Sequence, residues 1–222
     1  MAITAVIPVR AGSTRVKNKN IRPFAGSSLL EIKIKQLQQV KTINQVLVSS
    51  DSKEMLDLAK SMGAIPMERP YEYCDEKTRS FNDVVRYIAS EQVNTEHMMW
   101  APCVCPFVDS VLFEQAVSTY DKIVAGEIDG DSVVSAELIK EYIFDENKPV
   151  NFSIEHHVPS QMLPNWHCIK NGFFIAKTQD MYRWGFVYGP NPVLFEITKK
   201  QSIDIDDEFD FLIAETVYKS EM

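Results

Sequence analysis

The feature that most constrains this chain is its opening apolar run, Ile3-Thr-Ala-Val-Ile-Pro-Val9, which ends at a stretch of Gly, Ser, Thr, Lys and Asn. A short run that is apolar at nearly every position belongs to a strand buried on both faces, as in a parallel sheet covered by helices. The loop at the carboxyl end of such a first strand is where open α/β sheets bind ligands.

Alternation of strand and helix follows. Leu30, Ile34 and Leu37 share one face and predict a helix over 28–40, followed by a strand at 45–49. Asp51 and Glu54 resemble a capping box, and Met55, Ala59 and Met62 predict a helix over 52–62 with Gly63 as its stop. Further helices are expected at 81–93 and 109–122, and strands at 97–101, 132–136, 173–176 and 193–197. A final helix carries Phe209, Leu212, Ile213 and Thr216 on one side, the side expected to pack inward. Between 138 and 170 the period fails, with prolines at 149, 159 and 164 among aromatics and charges, so this span reads as an inserted hairpin or arm. The order predicts a three-layer α/β sandwich with a mostly parallel sheet, in one domain over residues 1–222.

Composition narrows the function. With 31 acidic and 23 basic residues among 222, the net charge of -8 disfavours general binding to nucleic acid. No run of 18 apolar residues is present, and Pro8 and Arg10 arrive too early for a signal-peptide apolar region, so neither membrane association nor export is expected and a cytoplasmic protein is. Cys74, Cys103, Cys105 and Cys168 lack disulfide-framework or zinc spacing and read as reduced thiols. The adjacent His156 and His157 read as surface residues.

Two segments carry chemistry. Residues 10–20 gather Arg10, Arg15, Lys17 and Lys19 with Gly12, Ser13 and Thr14 and no acid, a loop suited to a polyphosphate. It is neither a Walker loop nor G-x-G-x-x-G. Near the end, Ile203, Asp204, Ile205 and Asp206 alternate, so an extended backbone puts both carboxylates on one face and both isoleucines in the core. Two hard oxygen ligands beside nucleotide phosphates suit Mg²⁺, while Asp206 or Asp207 also suits the cap of the last helix.

These segments, in this order, resemble the acylneuraminate cytidylyltransferase family, which makes CMP-activated sialic acids and related nonulosonic acids. The resemblance runs through IPVRAGSTRVKNKNI, VLVSSD at 46–51, E-R-P at 68–70, T-x-S at 78–80, N-G at 171–172 and SIDIDDEFD at 202–210. It implies a Rossmann-like nucleotide-diphospho-sugar transferase fold and a homodimer, with residues 138–170 as the arm crossing to the partner. It implies that Arg10, Ser13, Lys19 and Asn20 hold the phosphates and ribose of CTP, with Arg10 and Lys19 supplying charge at the reacting phosphate. Arg69 and Ser80 match nucleotide contacts, and Asp204 and Asp206 match the Mg²⁺ carboxylates. The implied reaction is attack by a hydroxyl of an acidic sugar on the α-phosphorus of CTP, with pyrophosphate leaving.

The acceptor side departs from the family. W-A-P-C-V-C-P at 100–106 stands for L-Q-P-T-S-P, so Ala101 replaces the glutamine expected on the sugar and cysteines replace two hydroxyls. Thr14 replaces a lysine, and the resulting G-S-T-R resembles Kdo cytidylyltransferases. Ser160 replaces a basic residue ahead of Gln161, leaving Lys170 to grip the sugar carboxylate beside Asn171. Another acid acceptor, Kdo or a phosphonate, and a catalytically inactive CTP-binding homologue are therefore the alternatives.

Overall fold

The computed structural model describes residues 1–13 and 15–221; the hydroxyl expected of Thr14 lies outside them. Strands β1 (Ile3–Pro8), β2 (Ile43–Ser50), β3 (Ile65–Glu68), β4 (His97–Trp100), β5 (Ser132–Ile139), β8 (Trp166–Lys177) and β9 (Pro192–Ile197) form one sheet in the order β3-β2-β1-β4-β8-β5-β9. All neighbouring pairs are parallel except those of β8, which runs antiparallel to β4 and β5. Helices α1 (Leu29–Gln38), α2 (Lys53–Ser61), α4 (Ser110–Val124) and α6 (Glu208–Ser220) cover one face; α3 (Phe81–Tyr87), continued by a π turn at Ile88–Gln92, and α5 (Thr178–Trp184) cover the other. Along β1, Ala5 and Ile7 join the first core and Val6 the second, which is why the run is apolar at successive positions.

The strand order reverses at β1, between β2 and β4, so the loops leaving β1 and β4 diverge and open a crevice at their carboxyl ends. Crossing the sheet, β8 shifts register against β5 between Val134 and Ala136. Ser135 Oγ accepts from the N–H groups of Gly172 and Phe173 at 3.2 and 3.1 Å and donates to Lys170 C=O at 2.7 Å. A Cβ at 172 would stand 3.0 Å from Ser135 Oγ and 3.2 Å from Val108 Cγ2, so a larger residue there would press on the Ser135 hydroxyl that ties β5 to β8.

Four expectations are corrected. Asp51 does not cap α2: Ser52 does, its hydroxyl accepting from Met55 N–H, while Asp51 Oδ1 accepts from Ala11 N–H at 2.8 Å and so anchors the basic loop. The last helix packs through Phe211 and Ala214, Phe211 meeting Phe24 edge-on at 5.3 Å, whereas Phe209 and Leu212 are 68% and 60% exposed. Both stripes have helical spacing, and the position of Phe24 selects between them. Strand pairing also runs into both ends of 138–170, Leu138 and Ile139 facing His167 and Trp166, so the protruding part lies between β5 and β8. It contains a two-residue hairpin, β6 (Phe144–Asp145) and β7 (Lys148–Pro149), and a 3₁₀ turn at Ser160–Met162. Finally, β3 and α5 were not anticipated; both are short and have few apolar positions to set a period.

Candidate active site

A cleft of about 580 Å³ opens at the carboxyl ends of β1, β3 and β4. The loop after β1 contributes Arg10, Ser13, Arg15, Lys19 and Asn20, and Asp206 enters from the segment before α6. Gly12 sits at φ +73° with open space around it, a left-handed turn that lets the loop reverse over the crevice.

Lys19 is the link between the two segments singled out in the sequence. Its Nζ donates to Ile205 C=O at 2.6 Å, and Ile205 is fully buried between the two aspartates. Burial lowers the Lys19 pKa below the ordinary lysine value, with Asp206 and Asp204 pulling the other way. Asp204 is raised, first by burial and further by Asp206, while a 2.7 Å hydrogen bond from Asn171 Nδ2 to Oδ2 opposes the rise. Asp206 Oδ1 accepts from Arg15 at 2.8 Å. Asp207 caps α6 in a reciprocal box with Asp210, which leaves Asp206 free of the capping role.

Arg10 donates to Cys74 C=O and Glu76 Oε1, both at 2.7 Å. Arg69, 4% exposed at the cleft floor, donates to Val9 C=O at 2.7 Å and to Ser49 Oγ at 3.2 Å, with Cys74 Sγ 3.0 Å from Nε. These bonds make it a clamp between β1 and the loop after β3. Ser80 caps α3, its hydroxyl bonded to Asp83, and it is Arg79 and Phe81 on either side that line the cleft.

The expected acceptor residues are spread out. Asn171 lines the cleft. Ala101 is fully buried behind it, and the wall is made by Pro102, Cys103 and Val104. Gln161 lies exposed on the 3₁₀ turn, outside the cleft lining. Lys170 pairs with Glu137 at 3.1 Å; burial works against its charge, but the bonded Glu137 holds its pKa above the ordinary value. Sequence reasoning missed an aromatic wall of Phe81, Trp100, Phe174, Phe186 and Tyr188, which meet through edge and stacked contacts 4.9 to 6.0 Å apart. No period marked them, since they come from four separate segments. Among the described residues no cysteine is disulfide-bonded, Cys168 alone of the four being exposed, and no group of three or more His, Cys, Asp or Glu is placed to hold a metal.

A family model described as cytidylyltransferase matches residues 4–147, the part that carries the basic loop, Arg69 and the 100–106 wall. The chain belongs to the cytidylyltransferase family. Cytidylyl transfer is a nucleotidyl transfer, and several curated relatives are named cytidylyltransferases. The chain is 26% identical over 232 residues to an N-acylneuraminate cytidylyltransferase of Escherichia coli O18:K1:H7, covering 97% of this chain and 52% of that enzyme, so it spans about half that relative's length. It is 22% identical to a pseudaminic acid cytidylyltransferase of Campylobacter jejuni, covering 96% and 95% of the two chains. Over 63% of this chain and 59% of its own, a CMP-N,N'-diacetyllegionaminic acid synthase of Legionella pneumophila is 32% identical. The cytidylyltransferase-family fold is also evident in solved structures: a CMP:2-keto-3-deoxy-manno-octonic acid synthetase complexed with CTP superposes with a TM-score of 0.74 over 100% of both chains at 12% identity. Among the described residues no helix is long and apolar enough to cross a membrane.

Proposed function

We propose that this chain couples CTP to an acidic nonulosonic sugar, releasing pyrophosphate. The observation that carries the reading is Lys19: a half-buried cation, bonded to the main chain between two aspartates, at the wall of a cleft with Arg69 at its floor. Charge that grows on a reacting phosphate is met best by cations fixed beforehand in a site of low dielectric. Arg10 and Ser13 cradle the phosphates, Asn20 and Arg69 fix the nucleoside end, and Lys19 faces the α-phosphate. With the phosphates held, the sugar hydroxyl attacks in line and no covalent nucleophile on the protein is required.

The residues fit Mg²⁺. Asp204 Oδ1 is buried without a hydrogen-bond partner, and Asp206 is near enough to raise Asp204, so a divalent cation would satisfy the orphaned oxygen and relieve the repulsion. Bound there by Asp204, Asp206 and phosphate oxygens, it would supply charge to the departing pyrophosphate. Burial raises the Asp204 pKa in the absence of the cation, whereas a bound cation would hold its carboxylate ionised.

The acceptor lies beside Asn171 and the aromatic wall; Lys170, outside the cleft lining and paired with Glu137, would have to leave that pair to meet its carboxylate. The 102–104 wall offers no side-chain amide or hydroxyl, and this favours, as a second reading, a different acid acceptor. The arm exposes Tyr142, Phe144, Ile154 and Met162, apolar surface that a second copy would cover, giving a homodimer. Light scattering should show twice the 25.3 kDa chain mass; a monomer at micromolar concentration overturns the dimer.

The test is pyrophosphate release with CTP and Mg²⁺ over N-acetylneuraminic, legionaminic and pseudaminic acids, Kdo and an aminoalkylphosphonate. Release with a nonulosonic acid supports the reading. Release only with Kdo or the phosphonate moves the assignment to the second reading, and silence with CTP binding intact overturns catalysis.

A further inference from the structure

Lys33, on α1, is completely buried and lies outside the cleft lining. A lysine in an apolar core carries a large desolvation cost, and replacement by a well-packed apolar side chain commonly costs nothing. Its surroundings give it a specific task. Lys33 Nζ donates to Cys105 C=O at 3.0 Å and to Val108 C=O at 3.3 Å, and stands 4.8 Å from the centroid of the Phe113 ring. One turn on, Gln36 Nε2 donates to Pro106 C=O at 2.7 Å. Helix α1 thus holds three carbonyls of the segment after β4 from behind.

The front of that segment is part of the cleft wall. Val104 C=O, one residue before the first carbonyl that Lys33 grips, accepts from Ile205 N–H at 3.0 Å. Ile205 C=O in turn accepts from Lys19 Nζ. A continuous path runs from Lys33 through the 104–105 main chain to Ile205 and Lys19, with Asp204 and Asp206 on either side of Ile205. The β1–β4 pairing ends with Ala101 N–H on Val6 C=O, and residues 102–108 lie outside any strand, so the sheet does not fix that geometry.

We infer that Lys33 is a positioning residue for the nucleotidyl-transfer site, holding the Val104–Ile205 contact in register so that Asp204 and Asp206 meet the metal-bound nucleotide beside Lys19. The inference rests on the proposed cytidylyltransferase reading for the ligand, but its mechanical part concerns Ile205 alone. Burial also lowers the Lys33 pKa to about 8.

The experiment compares wild type with Lys33→Met, which keeps the length and apolar stem, and Lys33→Gln, which keeps donors for one carbonyl. Hydrogen exchange at the Ile205 amide and titration with CTP, in the presence and absence of Mn²⁺, are the readouts. The expected result is faster exchange at Ile205 in the order Met, then Gln, then wild type. Affinity for CTP with Mn²⁺ should fall about tenfold in Lys33→Met, the size of effect seen when groups supporting metal ligands are removed, while affinity for metal-free CTP is unchanged. A folded variant with unaltered Ile205 exchange overturns the inference, as does equal weakening with and without Mn²⁺, which marks general destabilisation. If Lys33→Met fails to fold, Lys33→Gln decides by the same two readouts. Wild type that does not bind CTP overturns the functional reading, and the exchange comparison then judges Lys33 independently.

Discussion

Asn171 donates to one oxygen of Asp204 and leaves the other oxygen of the same carboxylate buried and partnerless. A half-satisfied carboxylate held above its ordinary pKa is costly to the fold and useful to a cation. The sign follows: the folded chain holds this proton more tightly than the unfolded chain, so stability from this group falls as pH rises from the ordinary value of 3.8 through the raised one. Asp204→Asn removes the buried charge. The metal-free variant should melt higher than wild type at neutral pH while turnover drops by roughly 100-fold or more. Thermal melting and pyrophosphate release on the same preparation check both halves.

Lys19→Met should reduce kcat by about 100- to 1000-fold, the range for removing a fixed charge-stabilising group. Burial holds the Lys19 pKa down, so its cation is lost as pH rises through a value below 10.5, giving an alkaline limb in kcat. Lys19→Arg, always charged, should shift or abolish that limb at reduced rate. A pH–rate profile unchanged in Lys19→Arg would show that another group titrates there.

Ser80 bonds Asp83 in the cap of α3, so Ser80→Ala should cost about 1 kcal/mol, or about 2–4 °C in Tm for a chain of this size. Ser80→Thr keeps both the acceptor for the Asp83 N–H and the donor to the Asp83 carboxylate and should restore the melting temperature, as calorimetry on the three proteins checks.

Burial pushes the thiols of Cys103 and Cys105 up to about 12, and lowers Lys33 to about 8. At pH 9, the ordinary thiol value, the unfolded thiols have lost only about half their protons and the lysine proton offsets that loss; towards pH 10 the net difference from these three groups approaches one proton, so the stability loss steepens towards about 1.4 kcal/mol per pH unit. Cys105→Val equalises the balance and should flatten the slope, as read from denaturant midpoints across the window.

Much of this was legible because it is encoded locally. The β1 run, the basic loop and the alternation at 203–206 each express a period or a composition over a few residues, and backbone geometry turns these directly into a buried strand, a loop and convergent acids. The aromatic wall and the choice of inward face on α6 were not legible. Phe81, Trp100, Phe174 and Phe186 are distant in sequence, and Phe211 was preferred over Phe209 only because Phe24 stands opposite.

By itself, the sequence determined the α/β class, the strand that carries the phosphate-type loop and the residue types brought to the cleft, since propensity and side-chain period act over neighbouring positions. Only the tertiary structure decided that Lys19 is bonded between the two aspartates and that Lys33 grips the wall from behind. Those outcomes depend on which polar groups find partners once water is excluded, and the partners lie up to 186 residues apart in the chain.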